Sequence, residues 1–392
     1  MLSVRTIYWP SINLIGPGCV KQIGGEIRKL GGTKALLVTD QVLNQLGVVK
    51  RVTDVLEESG IPYAVFDDVK PNPTTRNVYD GLEAFQREAC DFIISLGGGS
   101  PQDAAKAIGL LFTNGGNIVD YEGIGKSVYK SVPIMAVNTT AGTASEVTIN
   151  YVITDEHRKI KMVMVDPNSL AAIAINDPEL MLQKPASLTA ATGMDALTHA
   201  IESYITKGSF ALSDALSLKA IEFIAASLPD AVADGQNLEA RSGMAWGSYV
   251  AGLSFSNSGL GIVHSMAHQL GSEYDLPHGV ANAILLPYVM DFNLDACPHK
   301  FADIAKALGT DPGETASVQE AAQAALRAVQ ELSAKVGIPA LEETAFRLED
   351  IDRLADQAMK DVCTGGNPKE VSKEQIKEIY RRAYYKQYYP RD

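Results

Sequence analysis

Short apolar runs alternate with amphipathic segments over the first 180 or so residues. Runs of strand length occupy residues 34–40, 61–66, 91–96 and 132–137, and segments with helical spacing occupy 41–59, 74–90 and 100–112. The third run (DFIISL) is continuously apolar, which is typical of a parallel strand covered on both faces. Repeated strand–helix–strand units predict a parallel sheet with right-handed crossovers, and therefore an α/β domain.

The pattern changes after Pro178, where strand-like alternation nearly disappears. Alanine and leucine then recur at helical spacing over residues 187–205, 213–228, 238–251, 317–336 and 372–388. This spacing predicts an all-helical second part of the chain. The length of 392 residues suggests two or three domains. We therefore expect an α/β domain over residues 1–181 and a helical domain over residues 182–392.

Composition and charge narrow the class of protein. With 34 basic and 47 acidic side chains the net charge is −13, which disfavours a nucleic-acid or anionic-membrane partner. No apolar stretch reaches the roughly 18 residues of a membrane-spanning helix. The four cysteines lie far apart and form no CxxC pair. A disulfide framework is therefore not expected, a cytoplasmic location is the simplest prediction, and an enzyme is the favoured class.

Two glycine-containing loops follow predicted strands. The third strand runs into three glycines, residues 97–99, and a helix is predicted to begin with Ser100 as its N-cap. Glycines let a ligand approach the backbone closely, and the N–H groups of a helix N-terminus bind phosphate. A second loop, residues 138–146 (NTTAGTASE), follows the fourth strand. Both would lie at the carboxyl edge of the sheet, where doubly wound folds bind ligands; the alternative is a tight strand-to-helix turn.

Asp40 ends the first predicted strand. A carboxylate at that position can accept hydrogen bonds from both hydroxyls of an adenosine ribose and would repel a 2′-phosphate, which favours NAD over NADP. The alternative is a helix N-cap or a solvated loop aspartate, and the sequence alone leaves the interpretations open.

Histidine is rare in this chain, and its distribution predicts a metal site. Asp195 and His199 are four residues apart on a predicted helix, as are His264 and His268, and His278 follows after a turn. Residues i and i+4 share a helix face, so the two side chains of a pair can bind the same ion. If Asp195, His199, His264 and His278 bind one ion and one position stays open, His268 is available for proton transfer. The donor set suits Fe²⁺, Zn²⁺, Co²⁺ or Ni²⁺, whereas a lone histidine on an apolar helix is usually a packed core residue.

Six ordered motifs give the chain a resemblance to a known family. They are SLGGGSPQDAAKAI, NTTAGTASEVT, NDPEL, ATGMDALTHAIESY, GIVHSMAHQLGSEYDLPHGVANA and DVCTGGNPKE, and they run through nearly the whole chain. On these motifs the sequence resembles the iron-containing alcohol dehydrogenases. The resemblance implies an α/β N-terminal dinucleotide-binding domain with a parallel sheet and an all-α C-terminal metal-binding domain. This is a dehydroquinate synthase-like fold, with the active site in the cleft.

The resemblance also assigns residues to sites. It implies that the metal, iron most often and zinc in some members, is bound by Asp195, His199, His264 and His278. It implies NAD as the cofactor, contacted by Asp40, Asn72, Gly97, Gly98, Gly99, Ser100, Thr139, Thr140, Thr143, Lys161 and Leu180. It implies a substrate pocket formed by Asn150, Val152, Val163, Phe255, Leu260 and Cys363. A homodimer or larger homo-oligomer is expected as well.

The expected function is that of a metal-dependent oxidoreductase, which transfers hydride between NAD(H) and a short-chain primary alcohol or aldehyde. His268 is the candidate for passing the alcohol proton toward solvent, and the alternative is a histidine that supports or weakly contacts the metal. Two other activities stay open: NADH-dependent reduction of an acid-bearing short aldehyde such as sulfoacetaldehyde, and zinc-dependent oxidation of a polyol, as in glycerol dehydrogenases. A metal- and nucleotide-binding protein without catalysis is a further alternative.

Overall fold

The computed structural model describes residues 4–310, 313 and 315–390. It divides into two compact units, one ending at Gln183 and the other beginning at Lys184. The first unit is an α/β structure and the second is helical, so the predicted fold class is confirmed. None of the helices among the described residues combines the length and the apolar character that a membrane crossing requires.

A six-stranded parallel sheet forms the centre of the first unit. Its order is β1-β9-β6-β4-β2-β3, and every neighbouring pair is parallel, as predicted. Ala35 and Leu37 enter one apolar cluster while Leu36 and Val38 enter another, so both faces of the sheet are buried. The strands of this unit are β1 (Ile12–Ile15), β2 (Ala35–Val38), β3 (Tyr63–Phe66), β4 (Phe92–Gly97), β5 (Gly123–Ile124), β6 (Ile134–Asn138), β7 (Asn150–Asp155), β8 (Ile160–Val165) and β9 (Ile173–Asn176).

A second sheet, of order β5-β8-β7, contains an antiparallel hairpin that the strand pattern did not predict. β7 and β8 pair along their whole length, from Asn150 opposite Val165 to Asp155 opposite Ile160. In β7 alternate residues are buried and half-buried, as in a strand with one covered face. The sequence signal for this hairpin is a period-two alternation in two segments, NYVITD and IKMVMV, and a turn at 156–159 separates them.

Among the described residues of this unit, five α-helices accompany the sheets: α1 was not predicted, and two of the predicted segments differ from the structure. Segment 41–59 forms two helices rather than one, because Gly47 adopts a left-handed conformation (φ 75°) between them. The prediction of Ser100 as an N-cap is wrong: Gly98 is the N-cap, and Ser100 lies in the first turn. The glycine run lets the backbone enter the helix before Ser100 is reached. The helices are α1 (Ile23–Leu30), α2 (Gln41–Gln45), α3 (Val48–Glu58), α4 (Thr75–Arg87) and α5 (Gly99–Asn114).

The described residues of the second unit form helices and loops without a strand. α6 packs against α7, α8 and α10, and it is buried from Gly193 to Ile205, which places its polar side chains in the interior. Every segment predicted to be helical is helical, with ends shifted by a few residues. The helices are α6 (Ala186–Ile205), α7 (Ala211–Ala233), α8 (Leu238–Ser258), α9 (Ile262–Tyr274), α10 (His278–Asn293), α11 (Pro298–Ala307), α12 (Val318–Lys335), α13 (Ile351–Ala358) and α14 (Lys373–Tyr385).

The tyrosine-rich C-terminal segment packs on helices of its own unit. The ring of Tyr388 stacks on that of Tyr288 in α10, with centroids 4.8 Å apart. The Arg382 guanidinium lies 3.9 Å from the ring centre of Tyr389. These contacts attach the chain end to α10 and α14. The last two residues, 391 and 392, lie outside the described part of the chain.

Candidate metal centre and nucleotide-binding loops

The four residues predicted to bind a metal come together inside the second unit. Asp195 and His199 lie one turn apart on α6, His264 lies on α9, and His278 is the first residue of α10. One ligand atom from each lies within 4.8 Å of those of the other three. The rings of His199 and His264 stack with centroids 4.5 Å apart, and His278 Nε2 lies 3.7 Å from Asp195 Oδ1. Four donors thus converge on one point.

The chemistry of this cluster fits a divalent transition metal. Asp195, His199 and His264 are buried, and His278 is half-buried. Burial, and then the neighbouring His199, lower the pKa of His264 well below its usual range, so its imidazole is neutral and offers a lone pair. Three imidazole nitrogens and one carboxylate oxygen are ligands that Fe²⁺, Zn²⁺, Co²⁺ and Ni²⁺ accept.

Asn282 gives independent evidence that acceptor atoms converge in the cluster. Its Nδ2 donates to Asp195 Oδ1 at 2.7 Å and lies 3.1 Å from both His264 Nε2 and His278 Nε2. An amide N–H is attracted to lone pairs, and so is a cation. The lone pairs of these three side chains therefore point to a common region, which is what a metal ion needs.

Glu202 holds His264 through the other ring nitrogen. Its Oε2 lies 2.6 Å from His264 Nδ1, and its Oε1 accepts a hydrogen bond from the Val263 backbone N–H at 2.7 Å. Burial raises the pKa of the Glu202 carboxyl to about 8. When this carboxyl is ionised, it accepts a hydrogen bond from His264 Nδ1–H and leaves the Nε2 lone pair for a metal, as in carboxylate–histidine–metal arrangements.

His268 lies outside the four-residue cluster, as the sequence suggested, and belongs to a second group with Asp361 and Cys363. Its Nδ1 lies 2.8 Å from Asp361 Oδ2, and its ring stacks on that of His278 with centroids 5.4 Å apart. Burial opposes ionisation of Asp361, but the adjacent His268 outweighs it and lowers the pKa of the carboxyl. An ionised Asp361 accepts a hydrogen bond from His268 Nδ1–H. The lone pair on His268 Nε2 can then accept a proton.

In the first unit the two glycine-containing loops lie side by side. β4 and β6 are parallel neighbours, so the loops that follow them meet at the carboxyl edge of the sheet, as expected. A Cβ atom on Gly98 would lie 2.8 Å from Thr140 Oγ1, and one on Gly99 would lie 3.0 Å from Thr143 Cγ2. Each glycine is thus needed for the close packing of one loop on the other. The N-terminus of α5 lies in this region and suits a phosphate.

A buried Lys–Asp network fixes the second loop. Lys106 Nζ donates to Ser145 Oγ at 2.9 Å and to the Asn150 carbonyl at 2.7 Å. Asp103 accepts from Ser145 Oγ at 2.7 Å and from the Val152 N–H at 3.0 Å. Burial lowers the pKa of Lys106 to about 8 and raises that of Asp103 to about 6. The network joins α5 to the loop and to β7, where Val152 pairs with Val163.

The other residues assigned to the cofactor take various positions in the first unit. Asp40 is the N-cap of α2, since its carboxylate accepts the Leu43 N–H at 2.9 Å. The helix N-cap is one of the alternatives that the sequence left open. Lys161 Nζ donates to Asn72 Oδ1 at 2.8 Å. Leu180 is buried in the turn at Pro178–Met181.

Three residues assigned to the substrate pocket lie in the second unit. Phe255 on α8 stacks on His199, with ring centroids 4.2 Å apart, so it packs directly on the metal cluster. Leu260 is buried in the connection between α8 and α9. Burial, followed by the nearby Asp361, raises the pKa of the Cys363 thiol well above its usual range, which disfavours a role as a nucleophile.

Sequence reasoning missed three residues that support the site: Glu202, Asn282 and Asp361. Glu202 comes three residues after His199 on the buried face of α6, and Asn282 comes four residues after His278. Both spacings place the side chain on the same helix face as a predicted ligand. Asp361 had no such signal, because it reaches His268 from a distant part of the chain.

Comparison with known proteins identifies the family. A family model for iron-containing alcohol dehydrogenase matches residues 10–178, and one for the C-terminal part of the Fe-containing alcohol dehydrogenase family matches residues 189–384. The lactaldehyde reductase of Escherichia coli (strain K12) is 50% identical over 372 residues, which cover 94% of this chain and 97% of the relative. The NAD-dependent methanol dehydrogenase of Bacillus methanolicus is 44% identical, with 97% and 100% covered.

A solved structure agrees with these matches. The crystal structure of a 1,3-propanediol oxidoreductase has a TM-score of 0.95 and 47% identity, and it covers 97% of this chain and 100% of its own. The fold and the relatives place the protein among the oxidoreductases. It belongs to the iron-containing alcohol dehydrogenase family.

Proposed function

We propose that this protein is a metal-dependent oxidoreductase that transfers hydride between NAD(H) and a short-chain primary alcohol or aldehyde. The observation that carries the proposal is the convergence of three histidines and one aspartate inside a chain that belongs to a dehydrogenase family. Those four residues, Asp195, His199, His264 and His278, would hold the ion. When bound, a divalent ion supplies Lewis acidity toward a substrate oxygen, and NAD(H) takes or supplies the hydride.

Fe²⁺ is the proposed ion, and Zn²⁺ is the alternative. The family description favours iron, whereas the donor set accepts either ion. Glu202 keeps His264 in the tautomer that binds a metal, and Phe255 packs against His199. The protein thus supplies oriented ligands, and the apolar covering limits the access of water to the site.

NAD(H) is the proposed cofactor, with its pyrophosphate at residues 97–100 and at the loop that carries Thr139, Thr140 and Thr143. The proposal is supported by the adjacent loops, the glycines that a side chain would disrupt, and the N-terminus of α5. Asp40 stands at the end of β2 and would disfavour a 2′-phosphate. We also propose contacts from Asn72, Lys161 and Leu180.

Short, uncharged substrates fit the residues assigned to the pocket. None of the six (Asn150, Val152, Val163, Phe255, Leu260 and Cys363) is a lysine or arginine. A cationic side chain would favour an acid-bearing aldehyde, so the sulfoacetaldehyde-type alternative has no support from this set. The zinc-dependent, glycerol dehydrogenase-like alternative is less favoured, because both family models that match this chain describe iron-containing alcohol dehydrogenases.

A panel assay tests the function. The full chain, loaded with Fe²⁺ or Zn²⁺, is assayed with short alcohols and aldehydes, acidic ones included, and with NAD(H) or NADP(H). We expect turnover with NAD(H) and an uncharged substrate. Binding of NADH without turnover on any substrate would favour the non-catalytic alternative, and turnover that survives complete chelation would contradict the role of the metal.

We further propose that the protein works in the cytoplasm as a homodimer or larger homo-oligomer. The cysteine usage supports the cytoplasmic location. The resemblance to the family supports the homo-oligomer. Light scattering coupled to size-exclusion chromatography measures the assembly, and a monomeric mass at micromolar concentration would contradict it.

The Glu202→Gln variant is expected to bind the divalent ion about 10- to 100-fold more weakly. The Val263 N–H requires an acceptor from residue 202, so the Gln amide nitrogen would face His264 Nδ1. This arrangement favours the tautomer protonated on Nε2, which has no lone pair for the ion. Titration against a chromophoric chelator measures the affinity. Glu146→Gln, a buried glutamate of the first unit, is the control, and equal affinities in the two variants would contradict the orienting role.

The Gly98→Ala variant is expected to raise the Kd for NADH about tenfold, equivalent to about 1.4 kcal/mol. The new methyl group would lie 2.8 Å from Thr140 Oγ1 and force the two loops apart. Fluorescence titration with NADH measures the change. Gly25→Ala is the matched control, since it adds a methyl group that meets no atom within 4 Å in the exposed part of α1. An unchanged Kd for Gly98→Ala would place the cofactor elsewhere.

A further inference from the structure

His268, Asp361 and Cys363 form a second group of metal-binding side chains beside the four-residue cluster. One ligand atom of each lies within 4.8 Å of those of the other two. His268 Nδ1 and Asp361 Oδ2 are 2.8 Å apart. A tetrahedral ion lies about 2.0–2.3 Å from its ligands, which places the donors about 3.3–3.8 Å from one another. Side-chain movements of about 1 Å or less would bring the three atoms to these separations.

The backbone holds these three side chains in place. The Cys363 N–H donates to Asp361 Oδ1 at 2.9 Å, which fixes the carboxylate relative to the thiol. One residue further on, the Thr364 hydroxyl contacts Ser265 Oγ on α9 at 2.8 Å. The loop is thus tied to α9 within one turn of His268. Donors from two separate parts of the chain are arranged before any ion binds, which lowers the cost of ordering them.

The charges around Cys363 are unfavourable for a thiolate but favourable for a cation. Burial, then Asp361 and Glu202, raise the pKa of the thiol well above its usual range, so it is protonated when no ion is present. The Asp361 carboxylate, which stays ionised because its pKa is lowered, would attract a divalent ion. A bound ion reverses the balance, because it stabilises the thiolate and displaces the proton.

We propose that His268, Asp361 and Cys363 bind a second divalent ion of the thiophilic class, such as Zn²⁺ or Co²⁺, and that this ion inhibits turnover. Binding releases one proton from the thiol, the proton on His268 Nδ1 moves to Nε2 so that the imidazole stays neutral, and no electron is transferred. One nitrogen, one sulfur and one oxygen donor suit these ions and do not suit Mg²⁺ or Ca²⁺, which prefer oxygen alone. Inhibition, which rests on the proposed function, follows because the ion occupies the histidine assigned to proton transfer.

Cobalt absorption tests the site without measuring activity. The four-residue cluster contains no sulfur, so a thiolate-to-cobalt charge-transfer band in the near ultraviolet reports on a cysteine ligand and not on that cluster. With the reduced, full-length protein we expect this band to grow as Co²⁺ is added beyond one equivalent. Cys363→Ser should lack it, and Cys297→Ser, the control for the other partly exposed cysteine, should keep it. A missing band in the wild-type protein, or its survival in Cys363→Ser, would overturn the site.

Asp361→Asn provides a second variant that keeps the thiol. We expect it to need at least tenfold more Co²⁺ for the same band, because it loses the carboxylate that contacts both other groups. An unchanged titration would exclude Asp361 and overturn the three-residue site. This comparison remains decisive if Cys363→Ser fails to fold.

Excess Zn²⁺ tests the inhibition. Each protein is compared with its own rate at one equivalent of bound metal, and we expect excess Zn²⁺ to reduce the wild-type rate more than that of Cys363→Ser. Equal loss in both would overturn the inhibitory role. If no protein turns over at one equivalent, the proposed function fails, whereas the absorption band still decides whether the site exists.

Discussion

Replacing His264 with alanine is expected to reduce NADH-coupled turnover by at least about 10³-fold. His264 is the central ligand of the cluster: its ring lies 4.5 Å from that of His199 and 5.4 Å from that of His278. A metal acting as a Lewis acid contributes several kcal/mol to transition-state stabilisation, and each 1.36 kcal/mol is a factor of ten in rate. The variant should also purify with much less bound metal, as measured by inductively coupled plasma mass spectrometry.

The same substitution at a surface histidine is the control for His264→Ala. His157 is exposed and lies in the turn between β7 and β8 of the first unit, so His157→Ala removes an imidazole without touching the cluster. We expect its metal content and turnover to match those of the wild-type protein. Circular dichroism and thermal unfolding establish that His264→Ala is folded. A folded His264→Ala protein with normal metal content and a rate within tenfold of wild type would refute the assignment of this site.

The metal cluster was predictable from sequence because its ligands obey local geometry. Asp195 and His199 are separated by one helical turn, and a rare residue recurs at the same spacing on α9. Convergence of these helices could not be deduced from either segment. It depends on how α6, α9 and α10 pack in the interior. The spacing thus predicted which side chains share a face, and tertiary packing decided that the faces meet.

Where sequence reasoning failed, the cause was tertiary or conformational. The helix over 41–59 was interrupted by a single left-handed glycine, Gly47, inside a segment of good helical spacing. The helix at 100–112 starts earlier than expected, because Gly98 and Gly99 accept backbone conformations that a side chain would crowd. The hairpin of β7 and β8 is made of short strands whose alternation is weaker evidence than a long apolar run.

Supporting residues were harder to predict than ligands. Glu202 lies on α6 and contacts His264 on α9. Asp361 contacts His268 on α9 from a loop that lies 93 residues after His268. Glu202 comes three residues after a predicted ligand, but an acidic residue is common on any helix, and Asp361 lies in a loop with no spacing signal. What identifies them is burial: a carboxylate withdrawn from water requires a partner, and in both cases the partner is a histidine of the site.

The His268→Ala variant, loaded with metal, is expected to lose at least about 10²-fold in turnover, as is common when a general acid–base group is removed. His268 Nδ1–H donates a hydrogen bond to Asp361 Oδ2 at 2.8 Å, which leaves Nε2 to accept a proton from the alcohol. The wild-type pH–rate profile should contain an inflection that the variant lacks. Added imidazole should restore part of the rate, because a small base can enter the space left by the side chain.

A purely structural role for His268 predicts a different result. Gln269→Ala, a substitution at the next position of α9, perturbs the helix without removing the imidazole and serves as the control. Metal content must be equal in the two variants, since the ring of His268 stacks on His278 and its loss could otherwise act through the ligand. If metal-loaded His268→Ala keeps the wild-type pH–rate profile, proton transfer does not pass through this residue. Its contact with Asp361 then serves only to hold the loop against α9.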